Sequence, residues 1–73
     1  MIDWVRFGQM VRQARRKRGQ GIRELARELG VAPSTMVKLD RGNSVGSEIF
    51  LLVCTDYLDI DPRKLIVRER EQE

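Results

Sequence analysis

Basic side chains are the most prominent chemical groups of this sequence, and most of them lie in its first part. Up to Arg41 there are ten Lys and Arg residues against four Asp and Glu, a net charge of +6, whereas the remainder has four against seven, a net charge of −3. A localised positive field attracts phosphate groups, while an evenly spread one mainly aids solubility. The first part of the chain is therefore predicted to meet a polyanion.

Five of these cations form a dense cluster: Arg12, Arg15, Arg16, Lys17 and Arg18. One interpretation is a solvated helix end, because cations in the last turn of a helix interact favourably with its dipole. The other is contact with the polyanion by part of the cluster. The residues that follow, from Ile22 to Arg41, favour contact with the polyanion. Arg16 is the candidate for phosphate binding.

Groups that perform covalent or metal chemistry are scarce. The sequence has no histidine and one cysteine, Cys54, so the usual zinc or iron ligand sets and an internal disulfide are not expected. It has no glycine-rich phosphate loop and no carboxylate pair at a recognisable spacing. A chain of 73 residues also buries too little surface for a deep catalytic cleft. We expect neither an enzyme nor a cofactor, and we expect Cys54 to fill the core.

The spacing of apolar residues predicts three short helices before Gly42. Asp3 can cap the first, which ends near Arg18, where a basic last turn meets glycine. The second, about two turns long, ends at Gly30, and the third begins at Pro33, whose missing N–H is tolerated in a first turn. The apolar positions that recur at helical spacing are Phe7, Met10, Val11, Ala14, Ile22, Leu25, Ala26, Leu29, Met36 and Leu39.

Two further helices are predicted after a polar loop. Ser47 can cap the fourth and Asp61 the short fifth, which has Pro62 in its first turn. The expected inward residues of the fourth helix are Phe50 or Leu51, Cys54 and Leu58, and the short fifth helix carries Leu65 and Ile66. No strand-like alternation competes with this pattern. We expect an all-α fold with one domain over residues 1–67 and a charged tail, 68–73, that frays.

The composition is that of a globular protein, with 41% hydrophobic and 34% charged residues. No apolar run approaches the roughly 20 residues of a membrane span. The N-terminus lacks the apolar stretch and the small-residue cleavage site of a signal peptide. We therefore expect a cytoplasmic protein with no membrane partner.

The residues from Ile22 to Arg41 fit two helices that cross steeply through a tight turn. Ala26 is small where the two helices approach, and Gly30 suits a left-handed backbone conformation. An apolar wedge would hold the pair at a fixed angle, and its members are Leu25, Leu29, Val31, Met36 and Leu39. Such a pair presents the outer face of its second helix, and the DNA major groove is wide enough to accept it.

These features resemble the lambda-repressor-like helix-turn-helix family, also called the Cro or XRE type. The resemblance covers roughly residues 7–66, through Arg-Glu-Leu-Ala-Arg-Glu-Leu-Gly-Val at 23–31, Pro-Ser-Thr at 33–35, Asp-Arg-Gly at 40–42 and Tyr-Leu-Asp-Ile-Asp-Pro at 57–62. It implies a five-helix fold with the helix-turn-helix at helices 2 and 3. It also implies sequence-specific binding to double-stranded DNA.

The same resemblance implies which residues contact DNA. The candidates for reading base edges are Pro33, Ser34, Val37 and Lys38. The candidates for phosphate contacts are Arg23, Thr35, Arg41, Asn43 and Ser44, in addition to Arg16. The sequence departs from the family pattern at Gly21 and Ile22, where a cap and a glutamine are common, at Ala32, which replaces a polar cap, and at Gly46, where proline is frequent.

Two functions remain open from the sequence. The first is a transcriptional regulator, most simply a repressor that binds a two-fold symmetric operator as a homodimer, because one small domain reads few base pairs. The second is a protein-interaction module, an antitoxin or adaptor, that uses the same fold to bind a partner protein. Apolar residues late in the chain are the candidates for dimer contacts, namely Tyr57, Ile60, Ile66 and Val67. Trp4 is expected to pack on the core.

Overall fold

A computed structural model describes residues 1–67 and contains four α-helices followed by two single turns. The helices are α1 (Trp4–Lys17), α2 (Ile22–Leu29), α3 (Pro33–Asp40) and α4 (Ser47–Val53); a π-helical turn spans Cys54–Leu58 and a 3-10 turn spans Pro62–Leu65. No β-strand occurs in the described residues, and the all-α expectation is confirmed. None of the helices in residues 1–67 has the length and apolar character needed to cross a bilayer. The expectation for residues 68–73 lies outside the described residues.

The first three helices begin and end where their sequence signals predict. The Asp3 carboxylate accepts a hydrogen bond of 3.1 Å from the backbone N–H of Arg6, which caps α1. Gly30 follows α2 in the left-handed conformation, with a φ of 70°. Pro33 is the first residue of α3. Ala32, at the N-cap of that helix, offers no side-chain hydrogen bond, as its residue type predicts.

The fourth helix differs from its prediction in two ways. Ser47 is its first helical residue rather than its cap, and Gly46, with a φ of 92°, occupies the N-cap without a side-chain bond. The helix then widens into the π turn, where hydrogen bonds close larger rings than in an α-helix. With this change of winding Cys54 and Tyr57 are buried, while Leu58 is only partly buried and Leu51 is exposed.

The predicted fifth helix is shorter than expected. It is one 3-10 turn, in which the Asp61 carboxylate caps Arg63 N at 3.0 Å. Of its two apolar residues, Leu65 is buried and Ile66 is 44% exposed. The chain leaves the turn as an extended segment whose Ile66 forms an isolated antiparallel bridge with Ile2. The sequence did not predict this pairing because no alternating apolar pattern marks either segment.

An aromatic cluster joins the two ends of the chain into one core. The rings of Phe7 in α1 and Phe50 in α4 are 4.9 Å apart, and Trp4 packs edge-on against both, at 6.0 and 5.7 Å. Phe7 and Phe50 are almost completely buried, as are Leu25 in α2 and Leu39 in α3. Every helix therefore contributes to the same core, and Trp4 packs on it as predicted.

Gly8 in α1 lies close to the backbone at the end of α3. A β-carbon at this position would lie 2.5 Å from the carbonyl oxygen of Leu39 and 3.3 Å from the backbone nitrogen of Gly42. Because both atoms belong to the backbone, they cannot move aside as a flexible side chain would. The missing side chain of Gly8 thus sets the distance between α1 and the end of α3.

Candidate nucleic-acid interface

The outward face of α3 carries the residues that were predicted to read bases. Val37 and Lys38 follow Ser34 by three and four residues, so the three share one helical face, and Arg41, a predicted phosphate contact, directly follows the helix. Ser34 and Lys38 are exposed, as is Pro33 at the start of the helix, while Val37 is partly exposed. The structure thus brings together the four predicted base-reading side chains on one surface.

The opposite face of α3 fixes this helix against the rest of the protein. Met36 and Leu39 are 2% and 1% exposed and belong to the core. On α2, Leu25 and Ala26 are equally buried. Leu29 at the end of α2 and Val31 in the following turn are partly buried and pack against the same cluster. The apolar wedge predicted from the sequence is therefore present, and it leaves the polar face of α3 outside.

The turn between α2 and α3 is closed by backbone hydrogen bonds. Val31 N donates to the carbonyl oxygen of Ala26 at 2.9 Å, next to the left-handed Gly30. Ala32 then takes an extended conformation, and its carbonyl oxygen accepts from the N–H groups of Thr35 and Met36 at 3.0 and 3.2 Å. Only three residues join the two helices, and each of them has a defined conformation.

The predicted phosphate contacts lie on three different helices and one loop. Arg16, Arg23, Arg41, Asn43 and Ser44 are exposed, and Thr35 is partly buried. Within residues 1–67, none of the four exposed basic side chains Arg16, Arg23, Lys38 and Arg41 forms an ion pair. The loop after α3 is held to the helix because Asn43 N donates to the carbonyl oxygen of Lys38 at 3.0 Å.

Part of the basic cluster on α1 has a different role from Arg16. Arg12 and Arg15 both form ion pairs with Asp40, the last residue of α3, at 3.1 and 2.9 Å. Arg15 also donates to the carbonyl oxygen of Gln20 at 3.2 Å. Burial alone would raise the pKa of Asp40, but hydrogen bonds and charge from the two guanidinium groups outweigh it and lower the pKa. These contacts tie the end of α3 to α1.

Arg18 is engaged with the C-terminal part of the chain. Its guanidinium lies 4.3 Å from the ring centroid of Tyr57 and donates to the Tyr57 carbonyl oxygen at 3.3 Å. The Tyr57 hydroxyl donates to Gln20 at 2.7 Å, and the Gln20 amide donates to Glu28 at 2.8 Å. Arg18 therefore stabilises the packing of the π turn. Arg12, Arg15 and Arg18 thus contact other parts of the protein through their side chains, whereas Arg16 and Lys17 are exposed and form no ion pair within residues 1–67.

The four candidates for dimer contacts do not share one surface. Tyr57 is 3% exposed and belongs to the core, so its side chain does not lie on the surface that the prediction assigned to it. Ile60 is partly buried against the core. Ile66 and Val67 are 44% and 42% exposed at the terminal bridge. A subunit contact through these last two residues stays a prediction.

Two residues that position the site were not identified from the sequence. Asp40 was identified only as part of a sequence motif. It pairs with Arg15 and Arg12, which precede it by 25 and 28 positions, and no local sequence signal indicates such a tertiary contact. Gly8 had a signal, since a glycine inside an otherwise periodic helix indicates close approach of another segment. Cys54 is buried as expected, and burial raises the pKa of its thiol.

The described residues define an all-helical protein in which α3 exposes a polar face and exposed cations lie on α1, on α2 and after α3. No family model matches the chain, and neither a curated protein nor a solved structure matches it. Its function has to be inferred from the side chains that α3 and its neighbours expose.

Proposed function

We propose that this protein is a sequence-specific DNA-binding transcriptional regulator with a lambda-repressor-like fold, in which α2 and α3 form the helix-turn-helix. In this proposal α3 enters the major groove of double-stranded DNA. Two copies bind a two-fold symmetric operator, and the bound dimer represses transcription.

The observation that carries the proposal is the division of α3 into two faces. Met36 and Leu39 are buried, whereas Ser34 and Lys38 are exposed on a helix held at both ends by backbone and ion-pair contacts. A base-reading helix needs this combination, because a side chain that discriminates between bases has to be placed repeatedly in the same position.

The exposed groups of α3 match the donor and acceptor pattern of the major groove. Lys38 can donate to O6 and N7 of guanine, and Ser34 can bond to several bases. Val37 and Pro33 can offer apolar contact, for which the methyl group of thymine is the partner. The expected recognition sequence of one subunit is therefore short, which is the reason for proposing a dimer.

Exposed cations on α1, on α2 and directly after α3 fit the sequence-independent part of binding. Arg16, Arg23 and Arg41 are exposed and free of ion pairs within the described residues. Contacts with phosphate position a protein on the duplex and supply a salt-dependent part of the affinity. Asn43 and Ser44 follow α3 and can add neutral hydrogen bonds.

Binding to fluorescently labelled random-sequence duplex at increasing salt tests the proposal. We expect measurable affinity near 50 mM salt and a steep, linear fall of log K with log salt concentration. An Arg41→Ala variant should bind with a shallower slope. No binding at low salt would contradict the proposal and favour a module that binds a partner protein.

A further inference from the structure

Arg12 differs from the other arginines of α1 in how its guanidinium is used. Its Nη2 donates to the main-chain oxygen of Asp40 at 2.9 Å and to the carboxylate at 3.1 Å, and its Nε lies 3.4 Å from the same carboxylate. A guanidinium has five N–H groups in a rigid fork. Within residues 1–67 the Nη1 group of Arg12 has no hydrogen-bond partner.

The exposure of Arg12 also sets it apart. Its side chain is 41% exposed, compared with 15% for Arg15, which binds the same carboxylate. Arg15 uses Nη2 for Asp40 and Nη1 for the carbonyl oxygen of Gln20. The two arginines together exceed the charge of Asp40 by one, so the cluster retains a positive charge on its solvent side.

The ion pair with Asp40 defines where the unpaired Nη1 group of Arg12 lies. Asp40 is the last residue of α3 and directly precedes Arg41. Arg12 therefore lies at the end of α3 from which the Arg41 and Asn43 side chains extend. An arginine whose plane is already fixed loses less conformational freedom on binding than a free side chain does.

We infer that Arg12 is a phosphate-binding residue that contacts the DNA backbone through Nη1 while its opposite edge stays on Asp40. The inference rests on the proposed function and adds a contact from α1 at the C-terminal end of the recognition helix. Arg15, whose guanidinium is occupied on both sides, makes no such contact.

The test measures how the affinity for one random-sequence duplex depends on salt concentration, and compares the wild type with Arg12→Ala. Loss of one phosphate contact reduces the slope of log K against log salt by about 0.9. Between about 50 and 200 mM salt the wild type should therefore weaken about 3.5-fold more than the variant. An unchanged slope for Arg12→Ala would overturn the inference.

Arg63→Ala is the matched control, because Arg63 also pairs with a carboxylate, Asp61 at 2.8 Å, but lies after α4. Its slope should equal that of the wild type. A reduction as large as that of Arg12→Ala would mean that any lost arginine has this effect, and would also overturn the inference. If the wild type itself fails to bind, the proposed function fails with it.

A second measurement does not depend on the folding of a variant. In the wild-type protein, the Nε–Hε resonance of Arg12 should stay protected and shift when the same duplex is added, whereas that of Arg63 should not shift. An Arg12 resonance that does not respond to saturating duplex contradicts the inference even if Arg12→Ala proves unstable.

Discussion

The part of the chain up to Arg41 and the part after it contribute differently to the molecule. The first part exposes the cations and the polar face of α3, whereas the second supplies Phe50, Val53 and Cys54 to the core and carries a net negative charge. Yet the two parts are not independent, because Phe7 packs directly on Phe50. In the proposed function the first part supplies most of the side chains that contact DNA, and the second part completes the core on which α1 to α3 pack.

The arginines of α1 repeat this division on a smaller scale. Arg15 and Arg18 lie in the same basic cluster as Arg16, but they hold Asp40 and Tyr57, respectively. Arg16 is exposed and outside any ion pair of the described residues. Neighbouring cations in the sequence therefore have different roles, and the role of each depends on its tertiary partner.

The largest effect is expected from a substitution in the second part of the chain that disrupts the shared core. Phe50→Ala should lower the free energy of unfolding by about 3–5 kcal/mol, because it removes a buried ring and leaves a cavity against Phe7 and Trp4. If the two parts form one core, circular dichroism and tryptophan fluorescence should report the same urea midpoint. Separate midpoints would mean that the first part folds without the second.

A smaller effect is expected from filling the contact between α1 and α3. Gly8→Ala should gain helix propensity of about 1 kcal/mol, but its methyl group meets the Leu39 carbonyl oxygen. Overpacking of this kind typically destabilises by about 1–3 kcal/mol, so urea denaturation should give a net loss. Gln9→Ala, at the exposed neighbouring position, is the control and should stay near the wild type. A Gly8→Ala variant more stable than the wild type would contradict the close approach.

A stability effect of about the same size concerns the ion pairs of Asp40. Asp40→Asn should lower the free energy of unfolding at neutral pH by about 1–2 kcal/mol, a value reduced because the pairs are partly solvated. The folded-state pKa of Asp40 lies below its ordinary value of 3.8. Its contribution is therefore present above about pH 4 and is lost as the pH falls through the folded-state pKa.

Urea titrations of the wild type and Asp40→Asn from pH 7 to pH 2 measure this effect. The difference between the two proteins should be constant at neutral pH and should shrink in acid. Asp61→Asn, which breaks the exposed pair with Arg63, is the control and should change the urea midpoint less. A difference between wild type and Asp40→Asn that does not shrink at all as the pH falls would rule out the ion pairs as its origin.

Much of the fold is predictable from local signals in the first part of the chain. Glycine at positions 30 and 42, proline at 33 and apolar residues at helical spacing place α1 to α3 within a residue or two. The polar face of α3 follows from the same spacing, since inward Met36 and Leu39 force Ser34 and Lys38 outward.

The rest depends on contacts between residues far apart in the sequence. The change to π winding after Val53 and the bridge between Ile2 and Ile66 have no counterpart in residue spacing. The same holds for Arg12, whose partner is 28 residues away. Tyr57 was expected on the surface because it lies late in the chain, but its hydroxyl reaches Gln20 from within the core.

Base preference measured by competition with single-base variants of a selected duplex tests most directly whether the outer face of α3 reads sequence. We expect Lys38→Ala to lose discrimination at one position of each half-site and Arg41→Ala to weaken binding to all variants alike. A preference profile of Lys38→Ala that equals that of the wild type at every position would contradict this expectation.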